Sequence, residues 1–256
     1  EFHIDYSKKV GEHTFEGMLV SNAQGGNNEW FSAYRDGYVS NMPYLFAGNP
    51  ANKTNDGAAS EWGRVGYVGR VKYDFAGKYL AELNGRYDGS DNFAEGKRFG
   101  FFPSVSLGWV VSKEDFFNKL NIGNFLNSLK LRGSYGVIGN DNVSRFSYLS
   151  SYSGNSQVYV SGGTLVNGYS SNGLASENVT WYSTKSLDFG FDVAVLDNHL
   201  KGAFDYFYTR TSNYLTSPAF GYTDPLGTSL PQVLSDAAFR KAGIDGSLNY
   251  SNKINE

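Results

Sequence analysis

The sequence has no cysteine, only 6 prolines, and no apolar run of the length a membrane-spanning helix requires. Lack of cysteine excludes a disulfide framework and a thiolate metal site, and is compatible with folding in the periplasm. The missing apolar run excludes a transmembrane helix. It leaves open a β-barrel, whose strands need only about 9–11 alternating residues each. Basic residues are also few: the net charge is -3, and no Lys/Arg-rich run occurs. Nucleic acid is therefore excluded as a partner, since its binding needs a basic face. The first residues, Glu1-Phe2-His3-Ile4, have neither the basic start nor the apolar stretch of a signal peptide. Any targeting segment is expected to have been removed or to lie upstream.

Aromatic residues and glycine are abundant. Tyr and Phe number 19 each, aromatics make up 16% of the chain, and there are 31 glycines. This combination points to many aromatic-rich strands joined by Gly/Asn/Ser/Asp loops, an all-β chain.

Period-2 alternation dominates. Val65, Tyr67, Gly69, Val71, Tyr73 and Phe75 share one face, against Arg64, Gly66, Val68, Arg70, Lys72 and Asp74. The pattern recurs at 79–88, 128–137, 186–195 and 200–209, with Phe207 an exception on the polar side. Each strand has one apolar face ending in Tyr or Phe and one face carrying charges of both signs. A soluble sandwich also alternates. These strands, however, run to roughly a dozen residues, about twice the usual soluble length. Aromatic ends fit the girdles that mark the two membrane interfaces of a barrel.

Connection lengths support this reading. Gly11-Glu12, Ala76-Gly77 and Asp197-Asn198 are expected as tight turns, and 113–126 as a medium connection with a helical turn. Long connections are expected from after residue 22 to about Glu61, from about Asn140 to Thr180, and from about Ser212 to Ala238; a further loop runs from Asp88 to Lys97. Short and long thus mostly alternate, as periplasmic turns and extracellular loops do in an up-and-down barrel. Roughly nine strands are predicted. The many inward charges fit a wide lumen better than a minimal barrel, and an open sheet edge in lipid is prohibitive. Residues 1–256 are therefore expected to be one part of a larger transmembrane β-barrel domain.

Residues 62–140 carry a specific resemblance. Gly100 to Ser104 (GFFPS), the pair Gly108-Trp109, and Leu129 to Gly136 (LKLRGSYG) follow a hairpin at 62–88. This order resembles the barrel of the SusC/RagA-type TonB-dependent transporters of the Bacteroidota. Residues 177–215 are similar to that family's Trp-x6-Asn-x-Gly hairpin. Arg240 to Asp245 is similar to its Asn-Lys-Gly-x-Glu strand start, with Ala242 and Asp245 departing from it. The resemblance implies a barrel of about 22 strands, with a plug domain and remaining strands that this chain lacks. It implies active import of glycans or peptides across the bacterial outer membrane. It also implies coupling to the TonB complex through N-terminal parts absent here, a SusD-like surface lipoprotein as partner, and contact with membrane lipid or lipopolysaccharide. A passive porin and a structural or adhesive barrel are the alternative readings.

No motif for catalysis or a cofactor is found, so the protein is not expected to be an enzyme. His3, His13 and His199 have no HExxH-like spacing and are read as surface or interfacial rather than metal ligands. The glycines at 63, 66 and 69 lie inside a strand pattern, which disfavours a phosphate loop. Asp88 to Asn92 offers hard oxygen ligands but lacks EF-hand spacing, so a hairpin loop is preferred. Substrate contact is assigned to aromatics of the long connections: Trp30, Tyr34 and Tyr38, with Phe31, in the first, and Tyr152, Tyr159 and Tyr169, with Tyr148, in the connection from about Asn140 to Thr180. Packing of the loops is a competing use of the same rings. Arg70, Arg86 and Arg132 are assigned to internal networks or to lining the plug.

Overall fold

A computed structural model describes residues 1–39, 41, 42, 44–119, 125–216, 230, 231, 233–235 and 237–252. In chain order its elements are β1 (Phe2–Val10), β2 (His13–Arg35), β3 (Lys53–Phe75), β4 (Tyr79–Ser90), β5 (Phe99–Val110), α1 (Asp115–Lys119), β6 (Leu126–Asn140), β7 (Tyr152–Ser161), β8 (Thr164–Ser171), β9 (Tyr182–Val195), β10 (Leu200–Ser212), β11 (Leu215–Thr216), β12 (Val233–Leu234) and β13 (Phe239–Tyr250). A nine-stranded sheet takes the order β1-β2-β3-β4-β5-β6-β9-β10-β13, and β7-β8 and β11-β12 form separate two-stranded pairs. The main sheet follows chain order apart from the inserted pairs, the up-and-down meander that the alternation predicts. Residues 23–64 form one compact unit, and residues 1–22 with 65–256 form the other.

Register carries the two-faced pattern from strand to strand in the larger unit. Leu107 pairs with Gly133, Gly133 with Phe189, Phe189 with Tyr206, and Tyr206 with Ile244. Because side chains alternate and the partners lie opposite, all of these project to the same side. That side has no cover: Leu107 is 60% exposed, Phe189 56% and Ile244 79%. In water, each such side chain would forfeit about 1.5–3 kcal/mol of burial energy. Lipid removes that penalty, so the exposure marks a hydrocarbon-facing wall. Phe207, the aromatic on the polar side, lies over Gly243, where a Cβ would meet its ring at 2.6 Å.

Within this unit the tight turns gather at one rim and the longest connection at the other. Residues 11–12, 76–78 and 196–199 lie at one rim, with 111–119 as a longer connection there, and 91–98 and 141–181 lie at the other. The tight turns use left-handed backbone: Gly11 (φ 60), Ala76 (φ 55) and Gly77 (φ 63), then Leu196, Asp197 and Asn198 in succession. The helical turn expected near 113–126 is α1, and residues 120–124 lie outside the described part.

Two expectations are corrected. The stretch after residue 22 is not a loop up to Glu61, because β2 continues to Arg35 and β3 begins at Lys53. Its Gly/Asn-rich composition suggested a loop, but once a hairpin sets the register, backbone ladder bonds extend it whatever the side chains are. The 140–180 connection likewise contains the β7–β8 hairpin. It turns at Gly162 (φ 59) and Gly163 (φ 80), a Gly-Gly pair suited to a type I′ turn. Most of the connection expected from Ser212 to Ala238 lies outside the described residues.

At the short-connection rim, aromatic side chains gather as an interface girdle requires. The Phe15 and Tyr73 rings lie 5.0 Å apart, and Phe75 and Tyr79 6.2 Å. The Trp109 indole N–H donates to Glu114 Oε1 at 3.1 Å, and Lys78 Nζ reaches Glu114 Oε2 at 3.4 Å. The hydrogen bond from Tyr79, then that from Trp109, hold the Glu114 carboxyl below its ordinary pKa against a smaller opposing effect of burial. A depressed carboxyl stabilises the fold above its unfolded-state pKa, and that contribution fades as pH falls through the lower, folded value. In the full-length protein, acidification into that range should change Trp109 fluorescence, and Glu114→Gln should abolish that change.

The two faces predict opposite responses to charge. Leu107→Lys or Phe189→Lys should destabilise the barrel by about 2–4 kcal/mol, as charges near the bilayer midplane do. Asn84→Lys, on the polar face, should be tolerated. Heat-modifiable migration of the full-length protein on gels would register the difference.

Candidate functional site: the polar wall and the long-loop rim

The polar face is a wall of charge. Arg132 on β6 is its hub, since β9 and β10 place three aspartates around its guanidinium. Nη1 and Nη2 lie 2.7 Å from the two oxygens of Asp205, in a forked arrangement, although the contact to Oδ1 lacks the alignment of a hydrogen bond. Nε donates to Asp192 at 3.2 Å, and Asp188 is 3.9 Å from Nη1. The arrangement requires Gly190: a Cβ there would collide with the Asp205 carboxylate and come within 2.8 Å of the Phe204 carbonyl. Lys72 joins Glu16 and Glu82 across neighbouring strands, each at 3.8 Å. A hollow of about 480 Å³ opens between the two clusters, lined by Glu82, Ser106, Lys130 and Ser134 among others. Partly exposed ion pairs of this kind contribute little individually. Together they fix long side chains against the wall and leave an acidic surface around one arginine.

At the opposite rim from Glu114, the connections 91–98 and 141–181 are tied together. Phe93 is fully buried (0% exposed) and sits 5.3 Å from Trp181, which also meets Phe102 at 5.1 Å. Trp181 donates its indole N–H to the Arg98 carbonyl at 2.8 Å. Lys97 Nζ donates to the Glu177 carbonyl and to Asn178 Oδ1 at 2.9 and 2.6 Å. Ser90 and Asn92 are buried and bond to Asp141. The oxygen-rich stretch expected as a loop from Asp88 is strand as far as Ser90, where Asp88 pairs with Arg86, and Ser90 and Asn92 use their polar atoms to clip two connections. Among the described residues, no cluster of His, Asp and Glu suited to a metal is present.

The three histidines are all engaged locally. His3 Nε2 lies 3.0 Å from Asp5, His13 Nδ1 2.8 Å from the Tyr73 hydroxyl, and His199 Nδ1 2.7 Å from the Ser251 carbonyl. The glycines at 63, 66 and 69 lie within β3, as the strand pattern predicts.

The aromatics singled out for substrate contact fall into two groups. Trp30, Phe31 and Tyr34 sit on β2, not in a loop, and Tyr38 follows the strand. All four are exposed, Phe31 at 90%. In the other unit, Tyr152, Tyr159 and Tyr169 are exposed on the β7–β8 hairpin, Tyr169 at 83%. Tyr152 pairs with Ser171 and Gly154 with Tyr169, so Tyr152 and Tyr169 share a face. Tyr148 is half-buried, with its ring edge-on to Phe146 at 6.3 Å.

A family model described as "TonB dependent receptor-like, beta-barrel" matches residues 3–254. The chain belongs to that family. It is 32% identical over its full length to TonB-dependent receptor P3 of Formosa agariphila, and 28% identical over 96% of its length to TonB-dependent receptor SusC of Bacteroides thetaiotaomicron. Among solved structures it is similar to the RagAB peptide importer in its closed-closed state, with a TM-score of 0.83 at 19% identity over 99% of the chain. The chain spans about a quarter of the length of these proteins: 25% of P3, 24% of SusC and 27% of the RagAB chain. The SusC/RagA resemblance read from GFFPS, Gly108-Trp109 and LKLRGSYG is thereby borne out. So are the all-β barrel portion and its location in the outer membrane.

In such a barrel the apolar face meets lipid and the charged wall lines the lumen. Sequence reasoning assigned Arg132 to an internal network but did not identify its partners. Asp188 supplies a third carboxylate near Arg132, 3.9 Å from Nη1, and its position there depends on β6 pairing with β9 across the inserted hairpin. In the full-length receptor, Arg132→Met should lower barrel stability by about 1–3 kcal/mol, because it leaves partly buried carboxylates facing one another. Adding Asp205→Asn should recover part of the loss in a heat-modifiability assay.

Proposed function

We propose that this chain is part of the barrel wall of an active importer that carries oligosaccharides or peptides across the outer membrane. The carrying observation is a SusC-like barrel wall whose polar face is lined by charges of both signs. Such a lumen suits passage of large hydrated solutes rather than apolar ones. The SusC relative and the RagAB peptide importer support this class of cargo. In this reading the plug and the remaining strands belong to other parts of the full-length protein. The TonB complex supplies energy through those parts, and a SusD-like surface lipoprotein delivers cargo at the long-loop rim. Trp30, Tyr34 and Tyr38, and separately Tyr152, Tyr159 and Tyr169, are the proposed contacts to sugar rings or peptide side chains. Exposed aromatics provide stacking area at little conformational cost.

The test is growth on limiting oligosaccharide or peptide of cells whose only importer for it is the full-length protein. Uptake should vanish without TonB, whereas persistence would indicate a passive pore. Tyr152→Ala with Tyr169→Ala should weaken uptake at low substrate by about tenfold, the effect of losing a contact worth over 1 kcal/mol. Unchanged uptake would assign these rings to packing or to partner contact.

A further inference from the structure

One row of the lipid-facing wall is not apolar. Lys185 on β9 is paired with Arg210 on β10, and Arg210 with Arg240 on β13. The three side chains therefore stand side by side on one face. It is the lipid face, because Arg210 lies in register with Phe204, Tyr206 and Tyr208, and Lys185 with Leu187 and Phe189. All three cations are exposed. Like charges directly opposite one another in a sheet repel, so such a row is unfavourable in isolation.

Nothing among the described residues neutralises it. Lys185 is flanked on its other side by Val137, and Arg210 lies between the other two cations. Two of the three thus have both cross-strand neighbours within the chain, and neither neighbour is acidic. The outward positions of β9, β10 and β13 carry no Asp or Glu at all; the aspartates at 188, 192, 205 and 245 occupy the opposite face.

Height explains what the row faces. From Leu200 at the short-connection end to Tyr208 the outward face of β10 is apolar, about 26 Å along the strand, or roughly 20 Å of membrane depth at the usual tilt. The next outward residue is Arg210. The cations therefore lie just above the Tyr135-Leu187-Tyr208 row, on the long-loop side, where hydrocarbon gives way to headgroups.

We propose that Lys185, Arg210 and Arg240 form a seat for the phosphate groups of an outer-leaflet lipid on the outer wall of the barrel. Arginine's planar fork binds phosphate oxygens in pairs, and the adjacent lysine adds a point charge. A phosphate bridging neighbouring strands converts the repulsion into attraction and ties β9, β10 and β13 together at the rim. The inference goes beyond the import reading. It depends on the outward face alone, so loss of transport would leave it intact.

The test is titration of the detergent-purified full-length receptor with phosphorylated lipid A, dephosphorylated lipid A and inorganic phosphate. Phosphorylated lipid A should bind, with affinity falling as salt rises. The variant K185Q/R210Q/R240Q should bind it at least about tenfold more weakly. Lys8→Gln, on the same face at the other rim, should bind as the parent does. Equal binding by the triple variant would overturn the proposal. So would equal binding of dephosphorylated lipid A, or competition by inorganic phosphate at similar concentration, which would indicate a free-anion site. Should the triple variant fail to give a heat-modifiable barrel, the single Arg210→Gln and the charge-preserving Arg210→Lys are compared; Arg210→Gln should lose the more affinity, since Arg210→Lys loses the fork but keeps the charge, and equal affinity of Arg210→Gln and the parent would overturn the proposal.

Discussion

A backbone placed in hydrocarbon must satisfy every N–H and C=O from within the protein, and the rest of this structure depends on that demand. It makes each strand of the nine-stranded sheet pair with its neighbour in that sheet, from β1 at one edge to β13 at the other. It also frees the side chains. Because the ladder supplies the hydrogen bonds, one face can be given to lipid and the other to charge. The hydrophobic core of a soluble domain is missing for the same reason. The fully buried Phe93 is not between sheets but under the long connections, where Trp181 and Phe102 cover it.

That division sets where chemistry resides. Arg132 with its aspartates and Lys72 with its glutamates lie on the face turned from lipid, so their charges are solvated by the lumen and by one another. The girdle residues mark the boundaries: Tyr79 and Trp109 with Glu114 at one rim, and Tyr135 and Tyr208 toward the other. Just beyond the latter, cations return to the outward face at Lys185, Arg210 and Arg240, where headgroups replace hydrocarbon. Polarity along each strand thus follows membrane depth, and polarity across it follows the side of the wall.

Much of this was legible from residues alone, because a barrel strand announces its faces locally. Val65 to Phe75 and Leu187 to Val195 need no partner to show which side is apolar. The errors came where local composition and long-range pairing disagree. Gly/Asn-rich residues 23–35 read as loop because nothing nearby favours a strand, yet a neighbouring strand supplies the ladder. The β7–β8 hairpin went unread, although Gly162-Gly163 between alternating residues was a usable turn signal. Trp30, Phe31 and Tyr34 were assigned to substrate contact in a loop, whereas they lie on β2.

By itself, the sequence determined the fold class, the number of strands in the main sheet, the two faces, the tight turns at one rim, and, through GFFPS and LKLRGSYG, the family. These follow from a period of two and from turn chemistry, which act over a few residues. The tertiary structure decided which residues stand opposite one another. Only the pairing of β6 with β9 brings Asp188, Asp192 and Asp205 around Arg132, and only the registers of β9, β10 and β13 align three cations in a row. Those contacts join residues tens of positions apart, and their register depends on the length and shape of the connections between them, which no local pattern records.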